Sequence, residues 1–497
     1  MIEAVVTTEA GDVRGFETGG VFAFLGVPYA APPVGDLRFK APERHQPWDG
    51  VRNAAAPGPN APQHETPAPR FAGLDLTNLI GHGWIEGDDF LAANIWTPDT
   101  AAKGLPVMVF VHGGAFLLGS KDAAIYDGTE FAKSGVVCIA VNYRMGLEGF
   151  TPIPGADTNL GLRDQLAAFA WVKRNAAAFG GDSDNITVFG ESAGAMTIAD
   201  LVASPLAQGL FRRAIVQSGH GGMVRPISVA QRLVKRLAKL LGVTPDLAGF
   251  RSRSIAEGLK AVAKVSQPNA RLDLRDETGR EPTFGLSKFL PVFGDEVLPD
   301  KPLVALQKGV GAEIELLIGT NREEMNLYFV PTGVREKLNG LMAWFLISRV
   351  HPGARRVLKD YGMGQKGRKA GYAFTEALND LVFRWPNRRF AEAHRGRTHV
   401  YEFGWRSPAC HGELGACHAL ELPFVFKTLP VATGPEGLLG PNPPQALADS
   451  IHKIWVDFAR DGTLPWPEYS ADDLQVYRLE TGVSAAEPPM PAARHHA

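Results

Sequence analysis

The chain is poor in cysteine. Three residues in 497 (Cys138, Cys410 and Cys417) cannot build a disulfide framework, which excludes the small stapled secreted folds and fits a reducing, cytoplasmic home. No uninterrupted apolar run approaches the length of a membrane span, so no membrane partner is expected. The opening Met-Ile-Glu-Ala-Val-Val-Thr-Thr-Glu-Ala has no basic segment followed by an apolar core, and does not read as a secretory signal. An excess of one charge is missing too. With 51 Lys and Arg against 53 Asp and Glu, no global field draws nucleic acid or anionic lipid. Internal repeats and low-complexity segments are absent.

What remains is an ordinary globular composition, 45% apolar and 21% charged, able to bury a large core. The length allows two or three average domains, but large α/β enzymes run this long as one unit, and a single domain over 1–497 is expected. The 55 glycines and 37 prolines indicate many loops, with five prolines between Pro57 and Pro69. Residues 2–17 read as a hairpin, and Val21–Pro28, Leu91–Trp96, Val107–Val111 and Val136–Val141 as strands. A helix from Asn159 to about Phe179 is stopped by Gly180-Gly181 and followed by strands at Ile186–Phe189 and Ala214–Gln217. That alternation is the doubly wound α/β pattern. Further on, 228–275 is mostly helical, Ile314–Gly319 and Val400–Phe403 are strands, and Val334–Asp360 is helical with a break at Pro352-Gly353. Ala446–Arg460 is an amphipathic helix.

The chemistry concentrates at Gly190-Glu191-Ser192-Ala193-Gly194, between a strand and a helix-compatible run. A serine in such an elbow stands above the sheet edge, where a base and a substrate can reach it. The N–H after it opens a helix, where donors are unpaired and negative charge is favoured. Donors for an oxyanion have a second source in Val111-His112-Gly113-Gly114-Ala115-Phe116, directly after an apolar strand. A plain glycine turn is the alternative for that stretch taken alone. Thirteen histidines compete for the base, and either Glu323 or Glu324 could be no more than a solvated charge. Cys410-His411 and Cys417-His418 do not have zinc-finger or ribbon spacing, so no metal is expected.

The pairing of these stretches resembles the type-B carboxylesterases, the cholinesterase-like branch of the α/β-hydrolases, and especially short bacterial members such as the para-nitrobenzyl esterases. The likeness rests on Leu25-Gly-Val-Pro-Tyr-Ala, Arg38-Phe39, Asn94-Ile-Trp-Thr-Pro, the His112 loop and Asn142-Tyr-Arg-Met-Gly. Phe179-Gly-Gly-Asp, the elbow, Gln217-Ser-Gly and His418-Ala-Leu-Glu-Leu-Pro-Phe-Val-Phe complete it. It weakens at 64–86, 228–280 and 330–370. The resemblance implies an α/β-hydrolase fold: a large, mostly parallel sheet flanked by helices, with helical excursions walling a gorge. It implies Ser192 as nucleophile, Glu324 as acid and His418 as base, in the chain order of the α/β-hydrolases. Oxyanion donors map to the N–H groups of Gly114, Ala115 and Ala193, with Gly113 keeping the loop open. Met325 stands where the family usually has glycine, which bears on the loop shape. His112 falls where relatives brace backbone, and Ser218 under the triad.

Family ion-pair positions fall on Arg38 with Asp88 and on Arg144 with Asp164. Glu191 either faces the pocket and sets its charge or sits hydrogen-bonded in the core. Ala61 and Phe90 occupy the places of a disulfide found in many relatives. The activity implied is hydrolysis of uncharged short-to-medium or aryl carboxylic esters through an acyl-enzyme, with no cofactor, by a monomer or weak homo-oligomer. Phe116 and the run Trp344-Phe345-Leu346-Ile347 are candidates for gorge walls, and plain core packing is the alternative for the run. Activity is expected to rise through a pKa around 6 to 7 as His418 loses its proton. An amidase or lactonase on the same triad, or a non-catalytic binding protein, are the alternative functions.

Overall fold

In the computed structural model, which describes residues 2–64, 70–71, 73–267, 270 and 272–495, the most apolar runs of the chain lie at the middle of one sheet. Its strands in chain order are β1 (Glu3–Thr8), β2 (Gly11–Thr18), β3 (Val21–Pro28), β4 (Ala92–Thr97), β5 (Leu105–Val111) and β6 (Val137–Val141). They continue as β7 (Gly181–Glu191), β8 (Arg213–Gln217), β9 (Glu315–Asn321), β10 (Thr398–Phe403), β11 (Gln475–Arg478) and β12 (Val483–Ala486). Across the sheet they run β1-β2-β3-β4-β6-β5-β7-β8-β9-β10-β11-β12, and Val51–Asn53 lies beside β2. Neighbours from β6 to β11 are all parallel, and the two ends are antiparallel.

A parallel sheet must be covered on both faces, and the side-chain alternation shows how this is done. Val107, Val109 and Val111 point into one core together with α1 (Leu160–Asn175) and α2 (Ala193–Val202). Met108 and Phe110, one residue out of phase, point into the other, against Trp455 and Phe458 of the long helix Gln445–Asp461. These strand residues are wholly buried, and each such side chain contributes about 1.5–3 kcal/mol of burial free energy. Because β5 lies between β6 and β7, the winding reverses there. A crevice opens at the carboxyl ends of the strands beside such a reversal, the place where open α/β sheets bind ligands.

The helical region after β8 resolves into Ile227–Leu241, Leu247–Arg251 and Ile255–Ser266, and the predicted break near Pro352 separates α3 (Gly340–Ser348) from α4 (Ala354–Asp360). Pro67 and Pro69 of the proline-rich stretch lie outside the described residues. Among the described residues, no helix is long and apolar enough to cross a membrane.

Two expectations are corrected here. Arg38 does not pair with Asp88, which faces solvent; its partner is the buried Glu148, at 2.7 and 3.0 Å. Arg144 and Asp164 do pair, bidentately, at 2.8 and 2.6 Å. The second correction concerns the run 344–347. Ile347 is buried in the core and Trp344 packs against it, whereas Phe345 and Leu346 face solvent, so the run divides between core and surface instead of being plain core throughout.

Cys138 and Cys417 are buried, Cys410 is half-buried, and all three are free thiols. Ala61 and Phe90 are packed in one apolar core. Three thiols should therefore titrate in denaturant, with Cys410 reacting first in the native protein, and a strong reductant should leave the melting temperature unchanged. A single titratable thiol would mean that two of them are joined.

Candidate active site

The strand β7 ends at Glu191 and α2 begins at Ala193, leaving Ser192 alone in the turn. Its backbone is held at φ 54° and ψ −124°, a region that costs a non-glycine residue about 1–3 kcal/mol. Neighbours enforce that geometry: Ser192 N donates to Gln217 O at 3.0 Å, and Met196 N to Ser192 O at 2.8 Å. Gly194 is required by close approach, since a Cβ there would stand 2.1 Å from Val111 O.

The Ser192 hydroxyl lies 2.8 Å from His418 Nε2, and His418 Nδ1 lies 2.6 Å from Glu324 Oε2. The other oxygen of Glu324 accepts from the Ser218 hydroxyl and from Asn321 N, both at 2.7 Å. With its acceptors engaged, the carboxylate is fixed and Nδ1 is set as the donor, which leaves Nε2 free to accept from serine. Glu323 points elsewhere. It pairs with Arg406 and accepts from Ala416 N at 2.9 Å, bracing the loop that carries His418. Met325 adopts φ −73°, an ordinary helical value, so the absence of glycine leaves the turn undisturbed.

The loop after β5 turns its carbonyls away from Ser192. Tyr143 donates to His112 O at 2.9 Å, His112 Nδ1 to Gly113 O at 2.8 Å, and Ser287 to Ala115 O at 2.8 Å. Gly114 O accepts from Leu117 N and Leu118 N, and Phe116 O from Gly146 N. Burial pushes His112 down to about 4, so it is a neutral donor, stacked on Tyr143. With the carbonyls of 112–116 engaged, the N–H groups of Gly114 and Ala115 have no protein acceptor among the described residues. Gly114 takes φ 116° where a Cβ would stand 1.9 Å from Leu118 O, so only glycine fits. Gly113 packs against Glu191 and Ser192. Phe116 is buried edge-on to Phe150 and supports the loop from behind.

Glu191 Oε1 lies 3.0 Å from the same His418 Nε2, without the direction of a hydrogen bond. Burial pushes the Glu191 carboxyl up to about 8, against the pull of His418. Burial would lower His418, but Glu191 first, then Glu324 and Glu421, outweigh it and raise it to about 9. The two groups titrate as a pair, and a fully free base appears only above the ordinary histidine range. The expectation of 6 to 7 is therefore displaced upward. Turnover should still be rising above pH 8, and Glu191→Gln should move that limb down by roughly one pH unit or more, because the raising charge is gone. Profiles of kcat/KM between mildly acidic and alkaline pH check this; a limb that stays or moves up would contradict it.

Several residues here escaped sequence reasoning. Glu421 lies wholly buried near Glu324, accepting from Asn321 at 2.6 Å and from Gln217 at 3.0 Å. The Phe383 ring stands 4.7 Å from that of His418, and Tyr328 at 5.8 Å. Phe383 sits in a π-helical turn, Asp380–Arg384. A signal for that turn was Pro386, which has no N–H to offer Val382 O. His220 Nε2 supplies the missing donor at 2.8 Å.

A serine in a strained elbow, with histidine and glutamate behind it on a doubly wound, mostly parallel sheet, defines a serine hydrolase of the α/β-hydrolase fold. The model of the carboxylesterase family matches residues 2–493, and the chain belongs to that family. It is 34% identical to the para-nitrobenzyl esterase of Bacillus subtilis, over 98% of this chain and 97% of the relative. To the phenmedipham hydrolase of Pseudarthrobacter oxydans it is 34% identical, over 97% and 96%. Among solved structures, the carboxylesterase EST55 of Geobacillus stearothermophilus superposes with a TM-score of 0.81 at 34% identity, covering 99% of this chain and 98% of that one. A para-nitrobenzyl esterase superposes at 0.79 with 34% identity and 96% coverage of each chain. The protein is a serine carboxylesterase, a hydrolase of carboxylic esters.

Proposed function

We propose that Ser192, His418 and Glu324 are the nucleophile, general base and orienting acid of this esterase. The reading is carried by one observation, the unbroken hydrogen-bond chain from Ser192 through His418 to Glu324. Ser192 Oγ attacks the ester carbonyl as His418 Nε2 takes its proton. The carbonyl oxygen becomes an oxyanion, held by the N–H groups of Gly114, Ala115 and Ala193. His418 returns the proton to the departing alcohol, leaving an acyl-serine. Water, deprotonated by the same imidazole, attacks that ester, the acid leaves, and the proton goes back to Ser192.

The substrates are uncharged esters of short or medium acids, aryl esters among them. Phe383 and Tyr328 give the site an aromatic side, which suits uncharged esters. The chain works as one domain over 1–497, which the pairing of strands from both ends into a single sheet supports. A reducing, cytoplasmic setting agrees with the free thiols, and the enzyme is taken to be monomeric or weakly associated.

The test is a series of p-nitrophenyl acetate, butyrate and palmitate together with a tert-butyl ester, alongside fluorophosphonate labelling read by mass spectrometry. Acetate or butyrate should be fastest, and the label should sit on Ser192. Palmitate turned over fastest would overturn the substrate class, and a label on another residue would overturn the nucleophile.

A further inference from the structure

The helix α3 is apolar on both sides, and only one side is used. Ala343 and Ile347 face the core, while Leu341 is 73% exposed, Met342 52%, Phe345 52% and Leu346 39%. A short helix that is apolar all round is normally wholly buried, and this one projects. Four large apolar side chains on one exposed turn-and-a-half mark an interaction surface rather than scattered exposure. Its surroundings are cationic although the chain as a whole is not. Between 337 and 366 there are six basic residues and one acidic one, in a protein of formal net charge −2.

All six (Lys337, Arg349, Arg355, Arg356, Lys359 and Lys366) are exposed. Asp360, the acidic exception, is engaged by His495 at 3.0 Å. Arg349 lies over the Phe345 ring at 5.9 Å and Arg355 over Trp344 at 5.5 Å, so the cations flank the apolar face directly. Beside the helix runs an open groove of about 790 Å³, walled by Leu341, Trp344 and Met363 and rimmed by Arg355 and Lys359.

We propose that α3 and its basic rim dock this enzyme peripherally on an anionic lipid surface, with Leu341, Met342, Phe345 and Leu346 entering the acyl boundary. Arg355 and Lys359 would meet phosphate headgroups at the groove. Convex apolar side chains framed by lysine and arginine are what an interfacial helix presents, and the two contributions reinforce each other. A second copy of the chain is disfavoured by charge, because a symmetric pairing through α3 would bring two basic rims together. The surface lies outside the triad, so docking and chemistry can be separated.

The experiment is co-sedimentation of the full chain with vesicles of phosphatidylcholine alone and with a one-third share of phosphatidylglycerol, at low and high salt. The enzyme should pellet with the anionic vesicles at low salt and be released by high salt. Leu341→Asn combined with Phe345→Asn should abolish pelleting, and Arg355→Glu combined with Lys359→Glu should weaken it on the order of tenfold or more. Both variants should keep wild-type rates on p-nitrophenyl acetate, which shows that they fold. No pelleting of the wild type with anionic vesicles, or pelleting indifferent to both variants, would overturn the proposal. So would sedimentation velocity showing a dimer that the asparagine variant breaks, since α3 would then be covered by a second copy.

Discussion

Ser192→Ala should fold and melt as the wild type does while losing ester turnover by on the order of 10⁴-fold or more. The two halves of that expectation come from different features of the elbow. The strain at φ 54° is imposed by backbone contacts from Gln217, Met196 and the β5 end, none of which involves the hydroxyl. Ser192 occupies the cap position of α2, yet its side chain makes no capping bond, so its removal costs the helix nothing. The hydroxyl's hydrogen bond is to His418 Nε2. Alanine therefore deletes the proposed attacking atom and leaves the scaffold. Circular dichroism, a thermal melt and turnover of p-nitrophenyl acetate at alkaline pH check both halves. Turnover near the wild-type rate would remove Ser192 from the mechanism, and a collapsed melt would show that the hydroxyl supports the fold.

The parts of this molecule that sequence made legible are those whose chemistry is local. Ile186–Phe189 followed by Gly-x-Ser-x-Gly announces a strand, an elbow and a helix within one stretch, and the elbow is built that way. The runs at Val107–Val111 and Val137–Val141 are apolar on both faces, which is how buried parallel strands read. Glu324 was legible only through family register, because nothing in Arg322-Glu323-Glu324 itself says which carboxylate turns inward. Long-range pairings were the weak point. Arg38 finds Glu148 rather than Asp88, and choosing between two acidic partners needs the path of the intervening loops. Glu421 looks from sequence like an ordinary helix-start glutamate, and its burial near Glu324 follows from Asn321 and Gln217 on separate strands. The run 344–347 misled for another reason. Apolar content indicates that surface is to be covered, but not by what, and here the chain's own core covers only one side.

Glu324→Gln should lower turnover by roughly 10³- to 10⁴-fold, whereas Glu323→Gln should keep it within about tenfold of the wild type. The first residue is wholly buried, and both its oxygens are committed: one to Ser218 and Asn321 N, the other to His418 Nδ1. A glutamine of the same shape must place its NH₂ against one of these donors. If it faces Nδ1, the imidazole is driven to carry its proton on Nε2, and no lone pair remains for the serine. If it faces Ser218 and Asn321, a buried backbone donor is left unpaired, at a cost of about 1–3 kcal/mol. Either outcome damages the base or its support. Glu323 is placed quite differently. Its bond from Ala416 N survives in glutamine, since the amide oxygen still accepts. What is lost is the ion pair with the half-exposed Arg406, of a kind worth about 0–1 kcal/mol. Parallel kcat/KM measurements on the two variants, with melts to confirm folding, decide the register. Glu323→Gln crippled while Glu324→Gln stays active would put the acid one residue earlier and make the Glu324–His418 contact incidental.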